Sequence, residues 1–360
     1  MSVRRILESF ATWGASGEPL VLATVYETAG STYSKAGHRI LIAANGDYQG
    51  LVSGGCLEGD LAERARRVLE TNEPAPAVYD LRDQADELWG LGIGCNGLLR
   101  VFLQPLRPEH GYQPFAAIAD RLRRRGPAAI ATVIDAAPGL APGATVVADA
   151  DDAALFGLDA AAAEPLVSGC REALRTGRAA YRRDAAGLGV LYAPLKPVPR
   201  LLVLGAGLDA VPLVQMAAEL GWLVSVADHR PAYVARGGFE RAEWVRCIEP
   251  AKLPEQVPLG DFDAIVVMSH HLATDRAYLA QLASADAAYV GVLGPPARKE
   301  RLLADLGEPG ERLRARLRGP VGLDIGADSP ESIALSILAE LQAVLAGTEP
   351  QAPSRSRPAG

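Results

Sequence analysis

The sequence predicts an α/β protein, with a parallel-sheet domain at its C-terminal end and an N-terminal α+β domain built from two related halves. Strands and helices alternate from residue 200 onward, which is typical of a parallel sheet covered on both faces. Upstream, one strand and helix pattern occurs twice at an offset of 108 residues (131 minus 23). The proline-rich segment 194–199 marks the boundary, because proline cannot pair within a central strand.

Length and composition limit the domain organisation and the partners. A chain of 360 residues exceeds one ordinary core, so we expect units at 1–107, 108–196 and 197–346, followed by a disordered tail at 347–360. Hydrophobic residues make up 49% of the chain and charged residues 22%, the balance of a soluble globular protein. A net charge of −7 argues against a nucleic-acid surface, because phosphate binding relies on clustered Lys and Arg.

Targeting signals and cysteine usage point to one compartment. No apolar stretch is long enough to cross a bilayer, and the first residues lack the apolar core of a signal peptide. Four cysteines are too few and too scattered for a disulfide framework. We therefore expect a cytoplasmic protein with free thiols and no membrane partner.

Apolar periodicity places the elements of the N-terminal domain. In the first half we expect a helix over about 3–12, strands over 20–25, 40–43 and 48–52, and a helix over 57–70. In the second half, residues 127–133 echo 19–25, Gly143 echoes Gly37 before a strand, and a helix covers about 161–175. Because nothing there aligns with Ser53-Gly54-Gly55-Cys56-Leu57-Glu58, we expect the second half to be structural.

A glycine loop follows the first strand of the C-terminal domain. The expected elements are strands over 200–204, 223–227, 264–268 and 288–292, with helices over 210–220, 272–283 and 330–345. Gly205 and Gly207 allow a sharp turn and a close approach to a diphosphate, and Ala210 permits tight packing of the helix on the strand. These features predict a dinucleotide-binding fold of the Rossmann type.

An acidic residue completes the dinucleotide pattern. Asp228 lies 21 positions after Gly207, near the spacing expected of a carboxylate that binds a ribose. Asp228 favours a ligand with an unphosphorylated ribose. The neighbouring His229 and Arg230 leave binding of a phosphorylated ligand as an open alternative. Because fold does not settle ligand, the candidates are NAD(P), another nucleotide, or a repurposed site.

Two cysteines lie in glycine-rich loops. Cys56 precedes a helix whose dipole lowers a thiol pKa, although Glu58 and Asp60 in the first turn oppose that effect. Cys95 lies within Gly92-Ile93-Gly94-Cys95-Asn96-Gly97. Each is a candidate nucleophile or soft-metal ligand, and the alternative is a small residue filling a crowded turn. Their spacing does not suit zinc. Cys170 and Cys247 are interpreted as packing residues.

The pair His270-His271 ends a predicted strand, at the carboxyl edge where open α/β sheets bind ligands. A role for one of the two in the site and a role in helix capping are both open. The chain has no P-loop, no Gly-x-Ser-x-Gly elbow and no Ser-His-Asp order, so we find no hydrolase or kinase signature.

Several motifs closely resemble the XdhC/CoxI family over nearly all of residues 1–345. They are Gly30-Ser31-Thr32 with Gly37-His38-Arg39, 50–58, 92–97, 203–207, 228–231, 289–294, and 322–327 with Pro330-Glu331. The sequence departs from the family at His229, where Pro is common, and at 295–298, where Ser-Arg-Arg is common. The second departure removes basic groups that could contact a phosphate, for which Arg298 and Lys299 are candidate substitutes.

The resemblance implies a chaperone that binds molybdenum cofactor (molybdopterin), protects it while its terminal sulfur is installed, and delivers it to xanthine dehydrogenase or an aerobic carbon monoxide dehydrogenase. It also implies a homodimer, a molybdenum hydroxylase client and a cysteine desulfurase partner. Thiols suit a soft, sulfur-bound metal, and glycine-rich helix starts suit the pterin phosphate. The expected cofactor-binding residues are Ser53, Gly54, Gly55, Cys56, Glu58, Cys95, Gly205, Gly207, Ala210, Asp228, Arg230 and His270, with Cys56 and Cys95 as metal ligands.

Two other function classes remain open from the sequence. One is an NAD(P)-dependent oxidoreductase that uses the glycine loop, with Cys56 as a redox or nucleophilic group. The other is a nucleotide-sensing regulator, which would bind a nucleotide without binding molybdopterin. Turnover of a nicotinamide cofactor would favour the enzyme, whereas bound molybdopterin without turnover would favour the chaperone. We expect a maturation chaperone rather than a catalyst.

Overall fold

The structure is a computed structural model that describes residues 2–82, 97–124 and 126–348. The chain divides into two compact units, Met1–Val198 and Pro199–Gly360. This division falls within the proline-rich segment that the sequence marks as a boundary. A finer boundary at residue 107 stays a prediction, and most of the predicted tail lies outside the described residues. Among the described helices, none is both long enough and apolar enough to cross a membrane.

The described residues of the N-terminal unit form two five-stranded sheets, each with its own covering helix. Its helices and strands are α1 Val3–Ala15, β1 Leu20–Gly30, β2 Arg39–Ala43, β3 Tyr48–Gln49, α2 Glu58–Thr71, β4 Ala75–Asp80, β5 Gly97–Leu106, α3 Phe115–Arg123, β6 Ala128–Asp135, β7 Thr145–Ala148, β8 Ala153–Phe156, α4 Ala160–Thr176, β9 Ala180–Arg183 and β10 Gly189–Leu195.

The two sheets have the same topology. The strand order is β3-β2-β1-β5-β4 in the first and β8-β7-β6-β10-β9 in the second, and all neighbouring strands are antiparallel. The Gly37 N–H donates to the Val25 carbonyl at 2.8 Å, and the Gly143 N–H donates to the Val133 carbonyl at the same distance. Both glycines have φ of +89°, which favours glycine. The predicted pair of related halves is confirmed.

Each sheet buries one face beneath one helix. In the first half, Val21 and Ile40 from the sheet pack in one cluster with Leu61 from α2. In the second half, Val133 packs in the corresponding cluster with Cys170 from α4. Cys170 is fully buried, as predicted for a packing residue, and burial raises the pKa of its thiol to about 12.

Arg39, at the start of β2, is a partly buried charged residue. Its strand neighbour Ile40 belongs to the core under α2, so alternation places Arg39 on the opposite face of the sheet. In the described part of the chain, the Nε and Nη2 atoms of Arg39 are buried without a hydrogen-bond acceptor. Burial lowers the pKa of Arg39 to about 10, so the side chain is still charged at neutral pH. Buried donor groups that lack acceptors destabilise the folded state.

Replacing Arg39 by Met should therefore stabilise the protein. We expect Arg39→Met to raise the free energy of unfolding by about 1–3 kcal/mol, because it removes buried donors that lack acceptors. The measurement is the midpoint of urea denaturation at constant slope. Arg66→Met is the matched control, since Arg66 is half exposed and pairs with Glu63 on the surface of α2. A lower midpoint for Arg39→Met would contradict the prediction.

The C-terminal unit contains one six-stranded parallel sheet. Its helices and strands are β11 Arg200–Leu204, α5 Ala210–Glu219, β12 Leu223–Asp228, α6 Pro231–Ala235, β13 Trp244–Cys247, α7 Leu253–Gln256, β14 Ala264–Val267, α8 Leu272–Leu282, β15 Tyr289–Val292, α9 Pro296–Leu306, α10 Glu308–Arg314, β16 Leu317–Arg318 and α11 Pro330–Leu345.

Strand order identifies the sheet as the Rossmann type. The order is β13-β12-β11-β14-β15-β16, which reads 3-2-1-4-5-6 when the strands of this unit are numbered along the chain. Alternate residues of β11 serve two cores. Leu201 packs in the cluster that holds residues of α5 and α11, and Leu202 packs in the cluster that holds residues of α8. The order reverses between β11 and β14, where the rule for open α/β sheets places a ligand crevice.

Candidate functional site

A buried carboxylate organises the cysteine loop, which we define as residues 50–57. Glu58, the first residue of α2, is 1% exposed. Its donors are the N–H of Val52 at 2.9 Å, the N–H and Oγ of Ser53 at 3.0 and 2.6 Å, and the N–H of Gly55 and Leu57 at 3.0 and 3.2 Å. The carboxylate thus fixes the turn that leads into the helix.

These contacts change the role expected for the loop amides. The sequence led us to expect that Ser53, Gly54 and Gly55 offer their amides to an anionic part of a ligand. In the structure the amides of Ser53 and Gly55 donate to Glu58, so the anion they hold belongs to the protein. Gly54 and Gly55 have φ of +79° and +117°, so glycine is needed there for the turn itself. A contact between Glu58 and a ligand stays a prediction, and the carboxylate that would make it is already engaged by the loop.

Cys56 projects from this loop to the surface. It is exposed and lines a shallow cavity that is open to solvent. Hydroxyl side chains from Ser31, Thr32 and Ser53 share the cavity. Tyr33 lies beside them with 59% of its side chain exposed. The sequence did not single out Tyr33, although it follows directly after the Gly30-Ser31-Thr32 motif.

The remaining wall of the cavity is apolar, formed by Val52, Leu57, Leu81, Gly97 and Leu99. Cys95, the second predicted thiol, lies outside the described residues. Within the described residues, no group of three or more Cys, His, Asp or Glu side chains forms a metal site. An accessible thiol beside hydroxyls and an aromatic ring suits a ligand that brings its own metal and sulfur.

Removing the Glu58 charge should loosen the cysteine loop. We expect Glu58→Gln to lower the free energy of unfolding by about 1–3 kcal/mol, because an amide NH₂ would face backbone N–H donors. Urea denaturation measures this loss, and the alkylation rate of Cys56 reports the loop itself. Glu63→Gln, on the same helix but 56% exposed, is the control and should change neither quantity. Identical behaviour of the two variants would show that Glu58 does not hold the loop.

Acid should weaken the same contact. Burial raises the pKa of Glu58, but the hydrogen bonds from Ser53 and Val52 outweigh burial and hold the pKa below its ordinary value of 4.5. A carboxyl whose folded-state pKa is lowered stabilises the protein fully above its ordinary pKa, and loses that contribution as the pH falls through the folded-state pKa. Wild type should therefore lose more stability below about pH 4.5 than Glu58→Gln, measured by urea denaturation from pH 7 to 3. Parallel stability curves would contradict this.

The glycine loop, residues 205–210, joins β11 to α5 as predicted. Gly205 has φ of +131°, and a Cβ there would lie 2.5 Å from the Met268 carbonyl oxygen, so only glycine fits. Ala210 is fully buried and packs in the core between the helix and the sheet. The turn predicted at Gly205 and the packing predicted at Ala210 are therefore observed, and cofactor binding by Gly205, Gly207 and Ala210 stays a prediction.

Asp228 is where the sequence predicts it, at the end of β12, but it is engaged within the protein. It is fully buried, and it accepts from the Ala206 N–H at 2.7 Å, the Arg230 N–H and Nε at 2.9 Å, and the Arg230 Nη2 at 2.7 Å. Burial raises the pKa of Asp228, but the hydrogen bonds from Arg230 and Ala206 outweigh it and lower the pKa. The guanidinium of Arg230 also lies 3.5 Å from the centre of the Tyr233 ring.

The two histidines divide the roles that the sequence left open. His271 caps α8, because its Nδ1 accepts from the Thr274 N–H at 3.4 Å. His270 lies at the sheet edge with Nε2 2.6 Å from Asp209 Oδ2. It has φ of +61°, an uncommon conformation for a residue other than glycine. Sequence reasoning missed Asp209, although an acidic residue directly before α5 was visible.

Two other predictions are decided by contacts in this unit. Arg298, a candidate for the missing basic groups, donates to the buried Asp275 at 2.7 Å and is committed to that ion pair. Cys247 at the end of β13 is exposed, so its interpretation as a packing residue was wrong. β13 is an edge strand of the sheet, and none of its side chains is fully buried.

Comparison with known proteins identifies the family. A model of the XdhC Rossmann domain matches residues 201–341, and a model of the XdhC and CoxI family matches residues 13–80. The chain is 31% identical over 324 residues to a probable xanthine dehydrogenase subunit of Bacillus subtilis, covering 90% of this chain and 92% of that protein. The chain belongs to the XdhC and CoxI family. The resemblance drawn from the sequence motifs is confirmed.

Two further relatives extend the comparison. The molybdenum cofactor insertion chaperone PaoD of Escherichia coli is 24% identical, covering 91% of this chain and 84% of that protein. A crystal structure of a xanthine dehydrogenase from Bacillus halodurans is similar at a TM-score of 0.76 and 29% identity, covering 98% of both chains. The match to a solved family structure thus extends over both units.

Proposed function

We propose that this protein binds molybdenum cofactor, supports its sulfuration and inserts it into a molybdenum hydroxylase such as xanthine dehydrogenase or an aerobic carbon monoxide dehydrogenase. The single observation that carries the proposal is the exposed thiol of Cys56, held at the mouth of a cavity by a loop that Glu58 fixes. The names of two relatives, a molybdenum cofactor insertion chaperone and a probable xanthine dehydrogenase subunit, support the same role.

The chemistry of the cavity fits this cargo. A thiolate is a soft ligand and prefers a metal with sulfur donors, as in a molybdenum bound by a dithiolene. The Ser31 hydroxyl is a candidate hydrogen-bond partner for polar atoms of the cargo, whereas the Thr32 and Ser53 hydroxyls already donate to the Ser34 carbonyl and to Glu58. The Tyr33 ring offers a planar surface to the pterin. Because the cavity is shallow and open, the cargo remains accessible for sulfuration and transfer.

The role requires partners rather than turnover. The client is a molybdenum hydroxylase, and a cysteine desulfurase would supply the terminal sulfur. The protein would act in the cytoplasm as a homodimer, where a reducing environment keeps Cys56 a thiol. Cys95 stays a candidate second ligand.

Loss of the Cys56 sulfur should abolish cargo retention. We expect Cys56→Ser to copurify with at least about tenfold less molybdenum than wild type when both are expressed with the cofactor pathway active, since a hydroxyl is a poor ligand for a soft metal. Elemental analysis and reactivation of a cofactor-free client measure the two steps. Cys247→Ser, which removes the other exposed thiol of the described residues, is the control and should behave as wild type. A Cys56→Ser protein with full molybdenum content and full client activation would refute the assignment.

Tyr33 should contribute through stacking. We expect Tyr33→Ala to bind molybdopterin about 5- to 100-fold more weakly, and Tyr33→Phe to bind nearly as wild type, because the ring face rather than the hydroxyl makes the contact. Quenching of cofactor fluorescence or retention on a desalting column measures the affinity. Tyr48→Ala removes another exposed tyrosine of the same unit and serves as the control. Equal loss from Tyr33→Phe would argue against stacking.

The alternative of an NAD(P)-dependent oxidoreductase does not fit the described residues. Strand order and the glycine loop suit a dinucleotide, but Asp228, the group that should meet the ribose, is saturated by Ala206 and Arg230. Asp209 adds a negative charge where a diphosphate would approach. We therefore derive no hydride-transfer step for this protein.

A further inference from the structure

The glycine loop carries an acidic side chain in the space that a dinucleotide needs. In Rossmann-type sites the diphosphate lies against the glycines and the N-terminus of the following helix. A Cβ built on Gly207 would lie 2.4 Å from Asp209 Oδ1, so the Asp209 carboxylate is folded directly against this glycine. A negatively charged group of the protein thus occupies the approach to the loop.

Asp209 is held there by a residue from a different strand. Its Oδ2 lies 2.6 Å from Nε2 of His270, which follows β14, while Asp209 follows β11. The strand order reverses between these two strands, so the pair spans the crevice. Asp209 makes no capping hydrogen bond to α5, and Pro212 at the third helical position has no N–H to offer. The contact with His270 therefore fixes the carboxylate, rather than helix capping.

At the position where a ribose would bind, Asp228 is already paired with Arg230. An ionised carboxylate has about four acceptor sites on its two oxygens. On Asp228 these sites accept hydrogen bonds from the Ala206 N–H and from the N–H, Nε and Nη2 of Arg230. Stacking on Tyr233 holds the guanidinium in place. A ribose diol would have to displace Arg230 before it could bind Asp228.

We infer that Asp209 is a specificity-determining residue that excludes NAD(P)-type dinucleotides from this Rossmann-type loop. Its carboxylate repels the diphosphate, while the glycines, the parallel strands and the helix start remain suited to one. The fold is therefore that of a dinucleotide-binding domain whose phosphate position is filled by the protein's own anion. This inference is independent of the proposed cargo role, which rests on the other unit.

Removing the charge of Asp209 should create dinucleotide binding. The full-length wild-type protein should show no heat of binding with NAD⁺ at millimolar concentration, whereas Asp209→Asn, which keeps the shape of the side chain, should bind at least about tenfold more tightly than wild type. Asp209→Ser should gain affinity for NAD⁺ in the same way. This second neutral variant shows whether the gain comes from loss of the charge and not from the Asn side chain itself. Asp209→Glu keeps a carboxylate at this position and should gain nothing. Circular dichroism and thermal unfolding establish that each variant is folded.

The ligand series separates the diphosphate from the rest of the dinucleotide. Adenosine, which lacks phosphate, should bind wild type and Asp209→Asn equally, while ADP-ribose should follow NAD⁺. NAD⁺ binding by wild type that is as tight as by Asp209→Asn would overturn the inference, as would folded Asn and Ser variants that gain no affinity. Molybdenum content of the same preparations reports the cargo role separately, so failure of one proposal is distinguishable from failure of the other.

Discussion

In both units the chain turns from a strand region into a helix through glycines, and a buried carboxylate supplies the acceptor that the amides of the turn need. Glu58 collects the amides of the cysteine loop, and Asp228 collects the Ala206 amide of the glycine loop. A buried amide without an acceptor is costly. These two side chains therefore hold the geometry of the cysteine loop and of the glycine loop.

The same arrangement decides what the loops can bind. An amide that already donates to a carboxylate of the protein is not free for a phosphate, and this applies to the Ser53 and Gly55 amides of the cysteine loop. In the glycine loop, Asp209 and the Asp228–Arg230 pair take the two positions at which a dinucleotide is usually held. The fold is kept while the chemistry of its site is changed, which is why fold alone does not assign a ligand.

The three described cysteines show how environment separates structural from reactive thiols. Cys170 lies in the core of the second half, where burial raises its thiol pKa and makes it inert. Cys56 is exposed beside hydroxyl groups in the first half, at the helix start for which the second half has no equivalent motif. Of two sheets with the same strand order, one thus carries the accessible sulfur.

The sequence by itself determined the secondary structure in segments where apolar residues recur at a clear helical or strand spacing. It located the strand Arg200–Leu204 and the helix Pro330–Leu345 at their observed ends, the repeat of the N-terminal half, and the loops that hold Cys56 and Gly205. Apolar period, glycine placement and family motifs are properties of neighbouring residues, so they can be read along the chain. Short edge strands such as Trp244–Cys247 were missed, because a strand of four half-exposed residues has no clear alternation.

Only the tertiary structure decided which polar groups are already paired. Asp209 meets His270, a residue 61 positions away, and no local pattern shows that their strands are neighbours. Likewise, Asp228 fits a ribose by spacing, but folding brings Ala206 and Arg230 to its oxygens first. A motif specifies where a group lies along the chain, whereas hydrogen bonds form between groups that folding brings within about 3 Å. That difference is why the fold and the thiol could be predicted, and the closed dinucleotide site could not.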